Sequence, residues 1–184
     1  IKVFADTICG WCYISHSRLL KALSNFENIS FDVEHKPFQL NPDMPKEGIR
    51  RLDYLKTKFG SKEAAQPMYD SMVTEAMKEN LKFNLDKIQV TPNTCLSHIL
   101  TKLAFTKKIG YQVLSEIYNS YFSKGENIGD ADILISIGKS QNINEKEIID
   151  SFSSDKEISE VKKSDSLARS IGINGVPFFE INNK

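Results

Sequence analysis

The 184-residue chain has no excess of either charge, since 24 Lys and Arg face 24 Asp and Glu. Such a balance offers nucleic acid or an anionic membrane no long-range attraction. Long apolar runs are missing as well. The longest doubtful stretch, Ala131 to Gly138, is far short of the roughly 20 residues a spanning helix needs. Neither nucleic-acid partners nor membrane insertion are therefore expected. Cysteine is scarce: the chain has three, an odd number that does not suit a disulfide-stapled secreted scaffold. Internal repeats, low-complexity tracts and linkers are absent. What is present, 40% hydrophobic and 26% charged residues, is the balance of a globular protein that buries a core without staples. The length fits one domain, or one domain carrying a large insertion.

The chain opens on Ile1-Lys2-Val3-Phe4, which reads as a strand and not a signal peptide. This points to the cytoplasm; removal of a leader would instead point to a periplasm. Cys12, His16, Leu19, Leu20, Leu23 and Phe26 recur at helical spacing, with Asn28 closing that helix. Residues 30–36 alternate, Phe31 and Val33 on one side, and predict a second strand that Pro37 ends. Strand, helix and strand in so short a stretch predict a βαβ unit with a parallel pair.

Beyond Pro37 the pattern changes. Helices are expected at 49–58, 61–80, 93–108, 110–123, 129–138 and 144–152, with almost no strand signal. Ser61 and Thr91 are candidate caps, and Ala64, Met68, Met72 and Ala76 a candidate buried stripe. A helix to about Ser170 follows, with Val161, Leu167, Ala168 and Ile171 inward. Val176-Pro177-Phe178-Phe179-Glu180-Ile181 reads as a turn feeding a strand. The expected fold class is α/β. Residues 1–38 and 155–184 form one layer, residues 39–154 an inserted helical domain, and a further strand and helix are expected after Lys184.

Cys9-Gly10-Trp11-Cys12 carries the chemistry. Two cysteines at this spacing can bind metal or cycle between dithiol and disulfide. Structural zinc needs four ligands. Cys95, His16, His35 and His98 lack zinc-finger spacing, so no metal or other cofactor is expected. The redox reading has positive support. Cys9 follows a strand and opens a helix, where unpaired N–H groups favour a thiolate. Cys12, one turn deeper, is placed to attack a mixed disulfide at Cys9. Trp11 can shield the pair or contact a client peptide. Cys95 is expected to pack as a small buried hydrophobe, and His16 to lie on the surface or behind the site.

Five separated segments carry a family resemblance: Asp6 to Ile14; Phe38 to Pro45 with Glu47-Gly48; Asn93-Thr94 with His98; Tyr121-Phe122 with Gly125; and Gly172 to Phe179. The chain resembles the DsbA-like thioredoxin family, in particular its FrnE-like branch of dithiol oxidoreductases. The resemblance implies a thioredoxin-like fold with a large helical insertion, Cys9 as nucleophile and Cys12 as resolving thiol. It implies a cis Val176–Pro177 bond facing the cysteines, with Gly10, Trp11, Val176, Pro177 and Phe178 as the substrate-binding surface. Asn93 and His98 would fix the insertion against the sheet. The family usually has proline where this chain has Gly10, so the strength of the oxidant does not carry over.

The expected function is thiol–disulfide oxidoreduction on protein cysteines. Its partners would be client proteins with cysteines or disulfides and a recycling partner, glutathione or thioredoxin-type. One alternative is a glutathione-dependent small-molecule transferase or isomerase on the same scaffold, against which both cysteines count. The other is a holdase-type chaperone using apolar surface around Trp11 and Phe178.

Overall fold

The computed structural model describes residues 1–26 and 28–182. Its central strand, β1 (Lys2–Ala5), pairs in parallel with β2 (Glu34–Pro37) and antiparallel with β5 (Phe178–Glu180), in the order β2-β1-β5. The helix α1 (Gly10–Ser24) makes the crossover from β1 to β2. The βαβ unit is therefore present, but β2 begins at Glu34 and not at residue 30. The backbone ladder starts where Glu34 N–H donates to Ile1 O. Phe31 is left 36% exposed. α1 also stops earlier than Asn28, capped at Asn25, and Phe26 is exposed.

Between these parts lie α2 (Arg51–Phe59), α3 (Lys62–Lys78), α4 (Cys95–Thr106), α5 (Gly110–Asn119), α6 (Ala131–Ser140) and α7 (Glu145–Phe152); α8 (Asp155–Ser170) leads back to the sheet. Several starts are fixed by side chains that accept orphan N–H groups: Ser61 from Ala64, Asp130 from Asp132, Asn144 from Glu147 and Ser154 from Glu157. The start of α4 differs from expectation. Thr91 belongs to a two-residue strand, β4 (Val90–Thr91), paired with β3 (Ile49–Arg50). Asn93 accepts the Cys95 N–H instead. A π-helical turn, Ser120–Lys124, ends α5, and Gly125 closes it at φ 78° against Lys87, where a Cβ would meet the Lys87 carbonyl at 2.7 Å.

The largest core joins the inner face of α1 to α4, α5, α6 and α7 through Cys12, Tyr13, Leu100, Ile117, Leu134 and Ile148. A smaller one, Phe4, Phe38, Ala168 and Ile173, lies between the sheet and α8. Ile14, Met72 and Ala76 seal α1 against α3. The buried stripe of α3 is thus Ala65, Met72 and Ala76; Met68 and Ala64 are exposed. On α8 the inner positions are Val161, Asp165 and Ala168, while Leu167 and Ile171 face solvent. Among the described residues no helix is long and apolar enough to cross a membrane. The strand and helix expected after Lys184 lie outside the described residues.

Candidate active site

The end of β1 delivers Asp6 to a turn in which Cys9 N–H donates to Asp6 O at 3.1 Å. Cys9 is then the N-cap of α1: its extended backbone turns into the helix at Gly10, and its Sγ accepts the Cys12 N–H at 3.2 Å. The sulfur therefore holds the place that a serine or aspartate oxygen holds at other helix starts. All three cysteines are free thiols. Cys9 is 6% and Cys12 2% exposed. Burial pushes the Cys12 thiol well above the ordinary thiol range, the neighbouring Cys9 acts in the same direction, and a hydrogen bond to the Asp6 backbone only partly opposes them.

The remaining expected residues meet this turn from two sides. Cys9 Sγ–H donates to Val176 O at 3.6 Å, and the Val176–Pro177 peptide is cis. Val176 and Pro177 are half-buried and Phe178 is 41% exposed. Phe178 sets its ring edge-on to Phe4 at 6.0 Å. Gly10 is buried under α3, and Trp11 is a half-buried wedge between the main core and the α1–α3 seam.

Asp6 is 1% exposed and braces the turn. Its Oδ2 accepts the Leu40 N–H at 2.7 Å, its Oδ1 faces His98 Nε2 at 3.3 Å, and its carbonyl also receives the Tyr118 hydroxyl at 3.5 Å. The neighbouring Thr7 and Ser97 hydroxyls meet at 2.7 Å. These contacts tie α4 to the turn, as expected of His98. The segment Phe38-Gln39-Leu40 is itself clamped. Gln39 N–H donates to Asp165, Arg169 donates to Gln39 O at 2.6 Å, and the Arg169 guanidinium lies 4.5 Å over the Phe38 ring. Asn93 donates to Met44 O at 2.7 Å and holds the far end of the same segment.

Behind the turn, Tyr13 stacks on Tyr118 at 4.9 Å and on Phe83 at 5.7 Å. Sequence reasoning missed Tyr118, and marked Leu40 only as part of the Phe38 to Pro45 segment. Their partners are distant in the chain, and their only local signal is a place on an apolar helix face or in a turn. His16, expected on the surface or behind the site, is buried; its Nε2 shares a hydrogen bond with Ser115 at 2.8 Å, and burial lowers its pKa to about 4. Burial, with His16 and His98 nearby, lowers His35 to about 3. Cys95 is half-buried rather than buried, and burial raises its thiol. A cavity of about 990 Å³ runs between the sheet and α4 and α8 and ends at Asp6, Thr7, His98 and Tyr118; neither Cys9 nor Cys12 lines it.

Comparison with known proteins agrees with this geometry. Uncharacterized protein YwbO of Bacillus subtilis is 24% identical over 139 residues, which cover 76% of this chain and 64% of that protein. The chain thus matches less than two thirds of the curated relative's length. A crystal structure of a probable DsbA oxidoreductase from Streptomyces coelicolor superposes with TM-score 0.85 at 26% identity, covering 97% of this chain and 78% of that one. A 2-hydroxychromene-2-carboxylate isomerase superposes with TM-score 0.76 at 10% identity, covering 100% and 85%, a likeness of fold alone. The model of the DSBA-like thioredoxin domain matches residues 1–184 from end to end, and the chain belongs to that family.

Proposed function

We propose that this protein is a thiol–disulfide oxidoreductase acting on protein cysteines, of the FrnE-like branch of its family, with Cys9 as nucleophile and Cys12 as resolving thiol. The observation that carries this reading is the position of Cys9 Sγ: it caps α1, accepts the Cys12 N–H and touches the Val176 carbonyl. The helix N-terminus favours negative charge on that sulfur. Cys9 thiolate attacks one sulfur of a client disulfide, the client's other sulfur leaves as a thiolate, and a mixed disulfide forms. Cys12 loses its proton and attacks Cys9, expelling the second client thiolate. The client gains two electrons and the pair becomes a disulfide; the reverse sequence oxidises a client dithiol. An extended client would lie along Val176 and Pro177, with Trp11 and Phe178 as apolar flanks. Glutathione or a thioredoxin-type protein would recycle the pair.

A second reading, a glutathione-dependent small-molecule transferase or isomerase, draws on the likeness to the isomerase fold. Cys12 is superfluous there, so one experiment separates the two. Cys12→Ser exposed to an oxidised peptide should accumulate a peptide adduct on Cys9, seen by mass spectrometry. Full turnover without Cys12, or an adduct mainly on Cys95, would sink the oxidoreductase reading.

A further inference from the structure

The backbone does not require glycine at Gly10. It is the first helical residue of α1, and Cys9 before it is extended at φ −91° and ψ 110°. Both conditions suit a proline. What crowds one is a neighbour. A Cβ on Gly10 would lie 2.2 Å from Met72 Sδ, 2.8 Å from Met72 Cε and 3.0 Å from Phe83 Cε2. The thioether rests directly on the backbone between the two cysteines. Met72 is 4% exposed and α3 is held in place along α1. Arg18 bridges Glu75 and Glu79, Lys21 pairs with Glu79, and Ala76 packs in the seam with Ile14.

We propose that Met72 is a positioning residue of the Cys9–Cys12 turn: it occupies the space a side chain at position 10 would fill and supplies by packing the rigidity that Gly10 lacks. The proposal rests on the redox reading above. A glycine backbone is looser than that of other residues. A disulfide restrains the turn covalently, whereas the dithiol form depends on what packs against it. Removing Met72 therefore frees the dithiol more than the disulfide and shifts the equilibrium toward the dithiol. Proline at position 10 restores the restraint, but only once the thioether is gone.

The test uses the full chain as wild type, Met72→Ala, Gly10→Pro and the double variant. Each is equilibrated with oxidised and reduced glutathione, where one oxidised glutathione takes two electrons from the dithiol and leaves as two reduced glutathiones. The disulfide fraction is read by alkylation and mass spectrometry, and melting temperatures are recorded alongside. Met72→Ala should lower the equilibrium constant for disulfide formation about three- to fivefold, the size of one glycine's extra backbone freedom. The double variant should return toward wild type, and Gly10→Pro alone should melt lower than the double variant. An unchanged constant in Met72→Ala, or Gly10→Pro effects that are the same with and without Met72, would overturn the proposal. Should Gly10→Pro not fold, Met72→Ala against the double variant still decides. Failure of all four to form the disulfide would overturn the redox reading and the proposal with it.

Discussion

Two helices of this protein begin at a cysteine, and only one of them has a second cysteine three residues on. In α1, Cys9 is the cap itself, its sulfur accepts the Cys12 N–H, and Val176 O stands against it. In α4, Cys95 is one position inside the helix; the Asn93 side chain accepts its N–H, and His98 occupies the place of Cys12 and turns toward Asp6. A shift of one residue relative to the cap decides whether a sulfur or an amide oxygen meets the orphan N–H groups. Proximity to a helix start is therefore not enough; the sulfur must take the cap's own role.

The largest effect that would break this comparison is on exchange itself. Cys9→Ser should abolish attack on a disulfide substrate, a loss of at least about 10³-fold for removal of a nucleophile. Cys95→Ser should stay within about twofold of wild type in the same insulin-type reduction assay. A sharper version gives α4 the same spacing. His98→Cys should yield no second redox couple, so a glutathione titration should still count two electrons per chain; four would show that spacing, not cap position, is decisive.

Stability against pH comes next. Above about 6.5, the ordinary histidine value, His16 and His35 are neutral folded or unfolded. As pH falls below it the unfolded chain takes up protons that the folded chain accepts only near about 4 and about 3, so stability declines across that window. His35→Phe, which keeps the stacking on Phe105 at 4.6 Å, should flatten the decline by on the order of 1–3 kcal/mol in denaturant titrations at pH 4.5 against pH 7. An unchanged slope would clear His35 of the effect. The smallest effect is kinetic: with limiting thiol reagent on the reduced protein, Cys9 should label before Cys95 although it is the less exposed of the two, because burial raises the Cys95 thiol and slows its reaction.

The geometry at the start of α1 was legible because it is local: a strand, a cysteine at a helix start, a second cysteine one turn on. Helix starts at Ser61 and after Gly110 were legible for the same reason. What escaped was decided by distant neighbours. The stripe of α3 keeps the expected Met72 and Ala76, which meet α1, but its first half turns Ala65 in place of Ala64 and Met68 toward α2, and periodicity alone does not show that α3 serves two partners. The strand residues of β3 and β4 have meaning only as a pair. The bracing of Asp6 by Leu40 and His98 brings together three places with no shared pattern. The sequence marked Phe38 to Pro45 as a resemblance; the clamp by Asp165 and Arg169 is its physical reason.

That clamp has a consequence for how the protein comes into being. Gln39 bonds to residues 126 and 130 positions later, and β1 finds one of its two neighbours only in β5. On a ribosome the cysteines emerge well before α8, and the clamp on Gln39, next to the Leu40 that braces Asp6, cannot close until α8 has been made. Loop closure over such distances is slow. The pair thus spends that interval as two thiols on an open chain, and its proposed reactivity is expected to arrive only once α8 and β5 have joined β1.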